Sequence, residues 1–258
     1  MNYLRGAAIL AMVFVASFAA AQVATDARRS GYADMGEPLQ RMQDDDTANP
    51  GMLYVQLGRD LWARKEGLAG KSCADCHGDA AASMKGVAAR YPAIAPDGDR
   101  PVDLEGRINL CRLDNQQADR LPPENRDLLA LTAFVALQSR GMPVTPPDDP
   151  RLRPYRDEGE RIYRRRQGQL NLSCAICHDD NAGRKLAGVA IPQAHPTGYP
   201  IYRLEWQAMG SLRRRLRNCL VGIRAEPYPA GAPEYVSLEL YLMERARGLT
   251  LETPGVRP

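Results

Sequence analysis

A mainly α-helical protein of two tandem domains, related by internal duplication and carrying long irregular loops, is predicted by three observations. Two C-x-x-C-H motifs stand 101 residues apart, "CADCH" (Cys73 to His77) and "CAICH" (Cys174 to His178). The residues around them repeat. The apolar residues that flank them recur at helical spacing rather than in strand alternation.

C-x-x-C followed at once by histidine is the attachment signature of c-type haem. The two thiols take up the haem vinyl groups as thioethers, and the next residue offers an imidazole to the iron. A thioredoxin-like redox pair or a zinc site would leave the histidine after both pairs unexplained. Two covalently attached c-type haems are therefore expected, on Cys73 and Cys76 and on Cys174 and Cys177, with His77 and His178 as axial ligands. Haem also accounts for the aromatic composition: only 3 of 258 residues are Phe, because the porphyrin fills much of each core.

The duplication is read from two segments at a constant offset of 101, "GRDLWARKEGLAGKSCADCHGD" (58–79) and "GERIYRRRQGQLNLSCAICHDD" (159–180). At offset 108 Tyr91-Pro92 meets Tyr199-Pro200, Leu104 meets Leu212, Arg107 meets Arg215 and Cys111 meets Cys219. Near the ends "LTAFVALQSRG" meets "LELYLMERARG" at offset 107. Each unit is thus a cytochrome c-type domain, the first over 49–145 and the second over 146–258.

Leu53, Leu57 and Leu61 mark a helix before the first motif, and Ile162 and Tyr163 hold the matching place in the second unit. Leu128, Leu131 and Val135 close the first unit with another amphipathic segment, as Leu238, Tyr241 and Leu242 close the second. Between them lies Pro/Gly-rich chain suited to wrapping a haem. The prolines of "GMPVTPPDDPRLRP" (141–154) suggest a stiff linker. Residues 22–48, with Asp44 to Asp46, form an N-terminal arm of undefined order.

Arg5 followed by an apolar run from Ala7 to Ala21 reads as a signal peptide over 1–21, cleaved before Gln22. The mature protein is expected in the periplasm, free of the membrane once the signal is cleaved. Residues 30–150 hold 13 Lys/Arg against 19 Asp/Glu, net −6, whereas 151–224 hold 15 against 6, net +9. An exported protein seldom meets nucleic acid, so the basic half is read as a surface for small anions or an acidic partner.

The second axial ligands have several candidates. Met84 and Met209 follow the two motifs without counterparts in the other unit, and His195 is the one spare histidine. Cys111 and Cys219 match through the repeat, which favours Cys111 on the first iron and Cys219 on the second. A Cys111–Cys219 disulfide is the alternative in an oxidising compartment, and His195 then stands as a loop histidine near the second haem or as its ligand. Thiolate ligation lowers the haem potential. Cys219 is preceded by Arg213, Arg214, Arg215 and Arg217. Arg215, four residues back, shares the cysteine's face on a helix, and at least two of the others are expected on a solvated face. Arg107 repeats Arg215 without the cluster, so the second site is expected to be the electropositive, reactive one.

With both motifs, "LRNCLVGIRAEPY" (216–228), "GAPEYVSLELYL" after it and "HPTGYPIYRLEW" before it, the chain resembles SoxA. This is the family of dihaem cytochrome subunits of the thiosulfate-oxidising SoxAX complex. The resemblance implies an L-cysteine S-thiosulfotransferase that couples thiosulfate oxidatively to a cysteine of the SoxYZ carrier, electrons passing through haem to a SoxX-like monohaem cytochrome c. It implies Cys219 as the catalytic residue, a site often found as a persulfide, and Arg215 as the substrate-binding one. A thiosulfate dehydrogenase forming tetrathionate and a non-catalytic dihaem electron carrier are the alternative readings.

Overall fold

The computed structural model describes residues 27–96, 98 and 100–258. The expected signal peptide lies outside these residues. After α1 (Glu37–Asp44), the first unit runs through α2 (Gly51–Ala63), the short α3 (Cys73–His77) and α4 (Ala80–Ser83). A minimal hairpin of β1 (Ala93–Ile94) and β2 (Pro101–Val102) follows, then α5 (Leu104–Cys111) and α6 (Arg126–Leu137). The second unit repeats the helices as α7 (Arg153–Arg164), α8 (Cys174–His178), α9 (Leu212–Gly222) and α10 (Pro233–Arg245). Its intervening loop carries the hairpin β3 (Lys185–Leu186) and β4 (Val189–Ala190), then β5 (Ile201–Arg203) and β6 (Ala208–Gly210). The last strand, β7 (Gly255–Arg257), pairs parallel with β5, which pairs antiparallel with β6. The fold is mainly helical, as expected.

Each unit is built on one helix crossing. In α6 the residues from Leu128 to Ala136 are all buried, so the helix is a core element rather than an amphipathic surface one. It starts cleanly because the Asn125 side chain accepts the Asp127 and Leu128 N–H groups. α2 crosses α6 at Gly58, where a Cβ would stand 2.1 Å from the Ala130 carbonyl oxygen. α7 crosses α10 at Gly159, where a Cβ would stand 2.0 Å from the Ser237 oxygen. Only glycine permits backbones to approach so closely, and the duplication kept it twice. Gly159→Ala is expected to destabilise the second unit by about 1–3 kcal/mol or more, read as a lower Tm. An unchanged Tm would mean that the helices separate at little cost.

Two segments gain contacts that the sequence did not indicate. The 141–154 segment is no free spacer: the Gly141 and Val144 N–H groups donate to the Leu251 and Leu249 carbonyls, and Thr145 N–H to Ala89. Val144 is fully buried in a cluster with Ala89, Met243, Ala246 and Leu251, joining both units. The N-terminal arm, from residue 27, is docked on the second unit. Arg28 donates to the Arg245 and Arg247 carbonyls, and the Gln43 side chain accepts from the Val256 N–H. Asn49 links the arm to the Pro254 carbonyl. These partners lie some 200 residues from the arm in sequence, so no local pattern announces them.

Repeat-equivalent residues meet where the units touch. Asp103 and Ser211 are the N-caps of α5 and α9, and both line a small cavity of about 70 Å³ with Glu105, Arg213 and Glu239. Arg213 pairs with Asp103, and Ser211 donates to Glu124. Burial, reinforced by the neighbouring Asp103, pushes Glu105 from an ordinary 4.5 up to about 8, with Arg213 opposing and Glu124 adding to the rise. Glu239 is raised by the same burial and by Asp103. A folded-state pKa above the unfolded one means that the native state keeps a proton the unfolded chain has lost. Stability therefore falls as pH rises from about 4.5 to about 8. Glu105→Gln is expected to flatten Tm against pH across that window; an unaltered slope would place the titration elsewhere.

Candidate functional site

Local backbone geometry sets the two C-x-x-C-H motifs. α3 begins in a capping box: Ser72 Oγ accepts the Asp75 N–H, and the Asp75 carboxylate accepts the Ser72 N–H. Ser173 Oγ likewise accepts the Ile176 N–H at the start of α8. The turn before each motif is hydrogen-bonded to the chain after the repeat cysteine. Leu68 and Ala69 N–H donate to Gln117 and Gln116, and Gln169 and Leu170 N–H donate to Arg224 and Ile223. This close contact uses Gly67 and Gly168, both at positive φ (68° and 71°). Motif and repeat cysteine are thereby tied together across some forty residues of chain in each unit.

The residue after each motif histidine anchors a helix. Trp62 Nε1–H donates to the Gly78 carbonyl at 3.1 Å, and the Tyr163 hydroxyl donates to Asp179 at 2.8 Å. His178 Nδ1–H donates to the Pro192 carbonyl at 2.6 Å, which leaves Nε2 as the free lone pair. Burial holds the His178 imidazole below its usual range, so the neutral, ligating form prevails. Burial also pushes the Cys73 thiol up to about 11 and Cys174 to about 12. Neither is the thiolate that disulfide exchange requires at neutral pH.

Cys73, Cys76, His77, Arg107 and Cys111 line one cavity of about 410 Å³, with Trp62, Tyr91 and Leu131 among its walls. Met84 borders the same space. His178, Arg215 and Cys219 line a second of about 430 Å³, and Cys174 and Cys177 lie near enough to feel the Cys219 charge. Both volumes fall in the range of about 300–1,000 Å³ that cofactor sites occupy. The first is lined by both motif thiols, the motif imidazole and the repeat cysteine; the second is lined by His178 and Cys219, with Cys174 and Cys177 beside His178 on α8, so the residues fit a covalently held haem. Met209 is buried in the core and does not line the second cavity. His195 does, but its Nδ1 bonds the Arg29 carbonyl of the arm at 2.7 Å. Cys111 and Cys219 line different cavities and form no disulfide with each other.

The arginine cluster divides its labour. Arg215 lies one turn before Cys219 on α9, and both line the second cavity. Arg213 serves the domain contact, and Arg214 stacks on Trp206 at 4.1 Å from the ring centroid. Only Arg217 of those three is exposed, fewer than the two expected. Lys185, Arg203, Arg215 and Arg257 line the second cavity, whereas the first has Arg107 and Arg112, the latter paired with Glu66 at 2.6 Å. Sequence reading missed Arg203, the Pro192 carbonyl and the wall given by arm residues Gly31, Asp34, Met35 and Leu39. Arg203 stood in a quoted motif; the other two left no local signal.

Two helical units, each with a haem-attachment motif at a fitting cavity, define a c-type cytochrome of tandem cytochrome c domains. The family model "SoxA/TsdA, cytochrome c domain" matches residues 57–144 and 158–251. The "L-cysteine S-thiosulfotransferase subunit SoxA" of Pseudaminobacter salicylatoxidans is 40% identical over 229 residues, 88% of this chain and 80% of that protein. Its Rhodovulum sulfidophilum counterpart is 37% identical, covering 90% and 81%. The crystal structure of SoxXA from P. pantotrophus superposes with a TM-score of 0.86 at 33% identity, covering 90% of this chain and 87% of that one. The chain belongs to the SoxA family. Among the described residues no helix is long and apolar enough to cross a membrane.

Proposed function

We propose that the chain is the catalytic subunit of an L-cysteine S-thiosulfotransferase, joining thiosulfate to a cysteine of a SoxYZ carrier in the periplasm. Cys73 and Cys76 would hold one c-type haem between His77 and Cys111, and Cys174 and Cys177 another between His178 and Cys219. A SoxX-like monohaem cytochrome would receive the electrons. The observation that carries the reading is the placement of Cys219, Arg215 and His178 together in one cationic cavity.

When bound, haem supplies the sink for the two electrons of the oxidation. Arg215 draws the thiosulfate dianion to the cavity and leaves its sulfane sulfur facing Cys219 Sγ. An S–S bond forms between Cys219 Sγ and that sulfur, and two electrons leave. The carrier thiolate then attacks the sulfane sulfur, the bond to Cys219 breaks, and Cys219 regains its electron pair. The net change converts a thiol and thiosulfate into an S-thiosulfonate, one proton and two electrons. Lys185 and Arg203, which line the same cavity, add positive potential over it. The test is product analysis with oxidised holoprotein, thiosulfate and carrier: the carrier cysteine gains the thiosulfate mass, and omission of the carrier stops turnover.

A further inference from the structure

Arg215 brings one positive charge to a substrate that carries two negative ones. The second cavity holds three further cations, and their partners distinguish them. Arg257 donates to Glu252 at 3.0 Å and also engages Gln43, so its charge is neutralised within the protein. Lys185 sits on the exposed β3 strand of the surface hairpin. Arg203 differs from both. It ends β5, its side chain is 12% exposed, and among the described residues its ion pair runs outward to Glu205, which is 62% exposed and does not line the cavity.

The Arg203 guanidinium lies 5.1 Å from the centroid of Trp206, whose ring also carries Arg214. Trp206 is seated tightly, because a Cβ on Gly210 would stand 2.4 Å from its ring. The platform fixes the guanidinium. Yet among the described residues Arg203 Nε is buried without a hydrogen-bond partner, a costly state for a charged donor. Burial and the positive charge of Arg215 both hold the Arg203 guanidinium below arginine's usual range. Among the described residues no carboxylate pairs with Arg215, and the acid in the cavity wall, Asp34, is bound to Arg29 at 2.8 Å. Two cations held together in a half-buried cavity, one with an unused donor, form a receptor for a compact anion.

We propose that Arg203 is the second substrate-binding guanidinium of the Cys219 cavity, gripping with Arg215 the sulfonate oxygens of thiosulfate. This rests on the reading of Cys219 and Arg215 given above. Two-point capture at the sulfonate end leaves the sulfane sulfur as the free end, which sets the orientation that bond formation at Cys219 needs. The same guanidinium chemistry would serve a propionate carboxylate of haem, and the two sources give opposite results.

The experiment uses haem-loaded, partner-bound protein and measures equilibrium binding of thiosulfate to wild type, Arg203→Met and Arg203→Lys, with the midpoint potential and visible spectrum of each. The Met variant is expected to bind thiosulfate roughly tenfold to hundredfold more weakly, with potential and spectrum as in wild type, and the Lys variant to recover part of the loss. An unchanged thiosulfate affinity overturns the proposal. A shifted potential at unchanged affinity overturns it too, and assigns Arg203 to the haem carboxylate. Turnover is followed in parallel. Wild-type protein that binds thiosulfate yet makes no carrier conjugate removes the transferase reading, while the binding comparison still decides Arg203.

Discussion

Cys219→Ala is expected to lower thiosulfate conjugation by about 10³-fold or more, the scale of losing a covalent nucleophile. Its specificity comes from how α9 is held. The Ser211 cap, the buried Leu212 and Leu220, and the hydrogen bonds from the 169–170 turn to residues 223–224 fix the helix without using the cysteine side chain. Alanine is also the best helix former, so α9 survives the change. Cys174, Cys177 and His178 stand on α8, and their geometry depends on Ser173 and Pro192. Haem attachment should therefore persist, read as unchanged covalent haem by mass. Near-normal conjugation in the variant would remove Cys219 from the chemistry.

Arg215→Ala is expected to reduce kcat/KM for thiosulfate by about 10²-fold, the cost of losing one preorganised donor to a charged group. The residue is half-buried on the cavity face of α9, so its charge acts with less solvent screening than that of the exposed Arg217. Arg215→Lys keeps the charge but loses the planar fork, so partial recovery is expected. The visible spectrum should change little, because Arg215 holds none of the residues that would carry haem. Raising the ionic strength should weaken thiosulfate capture in the wild type more than in Arg215→Ala. Equal salt dependence in both would mean that the wider cationic field, rather than this residue, attracts the anion.

The sequence carried the local parts of the structure. C-x-x-C-H is contiguous, so it appears on the page as it does in the fold. The repeat placed Cys111 and Cys219 in equivalent positions, and one helical turn placed Arg215 beside the second of them. Gly58 and Gly159 were visible as aligned glycines, although their reason, contact with the Ala130 and Ser237 carbonyls, needed the helix crossing. What was hidden joins distant segments. Arg213 looked like part of a surface cluster, but its partner Asp103 lies 110 residues away. The arm carries its own short helix, yet its docking depends on β7, a three-residue strand too short for any periodicity. Arg203 was hidden for a related reason. Its burial follows from Trp206 and the pairing of β5 with β6 and β7, and a lone arginine in a proline-rich loop gives no hint of either.

The most direct measurement is intact-mass analysis of the carrier protein after incubation with thiosulfate, oxidant and the haem-loaded chain with its partner cytochrome. Transfer at Cys219 predicts one thiosulfate added to the carrier cysteine, no consumption of thiosulfate when the carrier is left out, and no adduct with Cys219→Ala. Tetrathionate formed at the same rate without carrier, with the carrier mass unchanged, would contradict it.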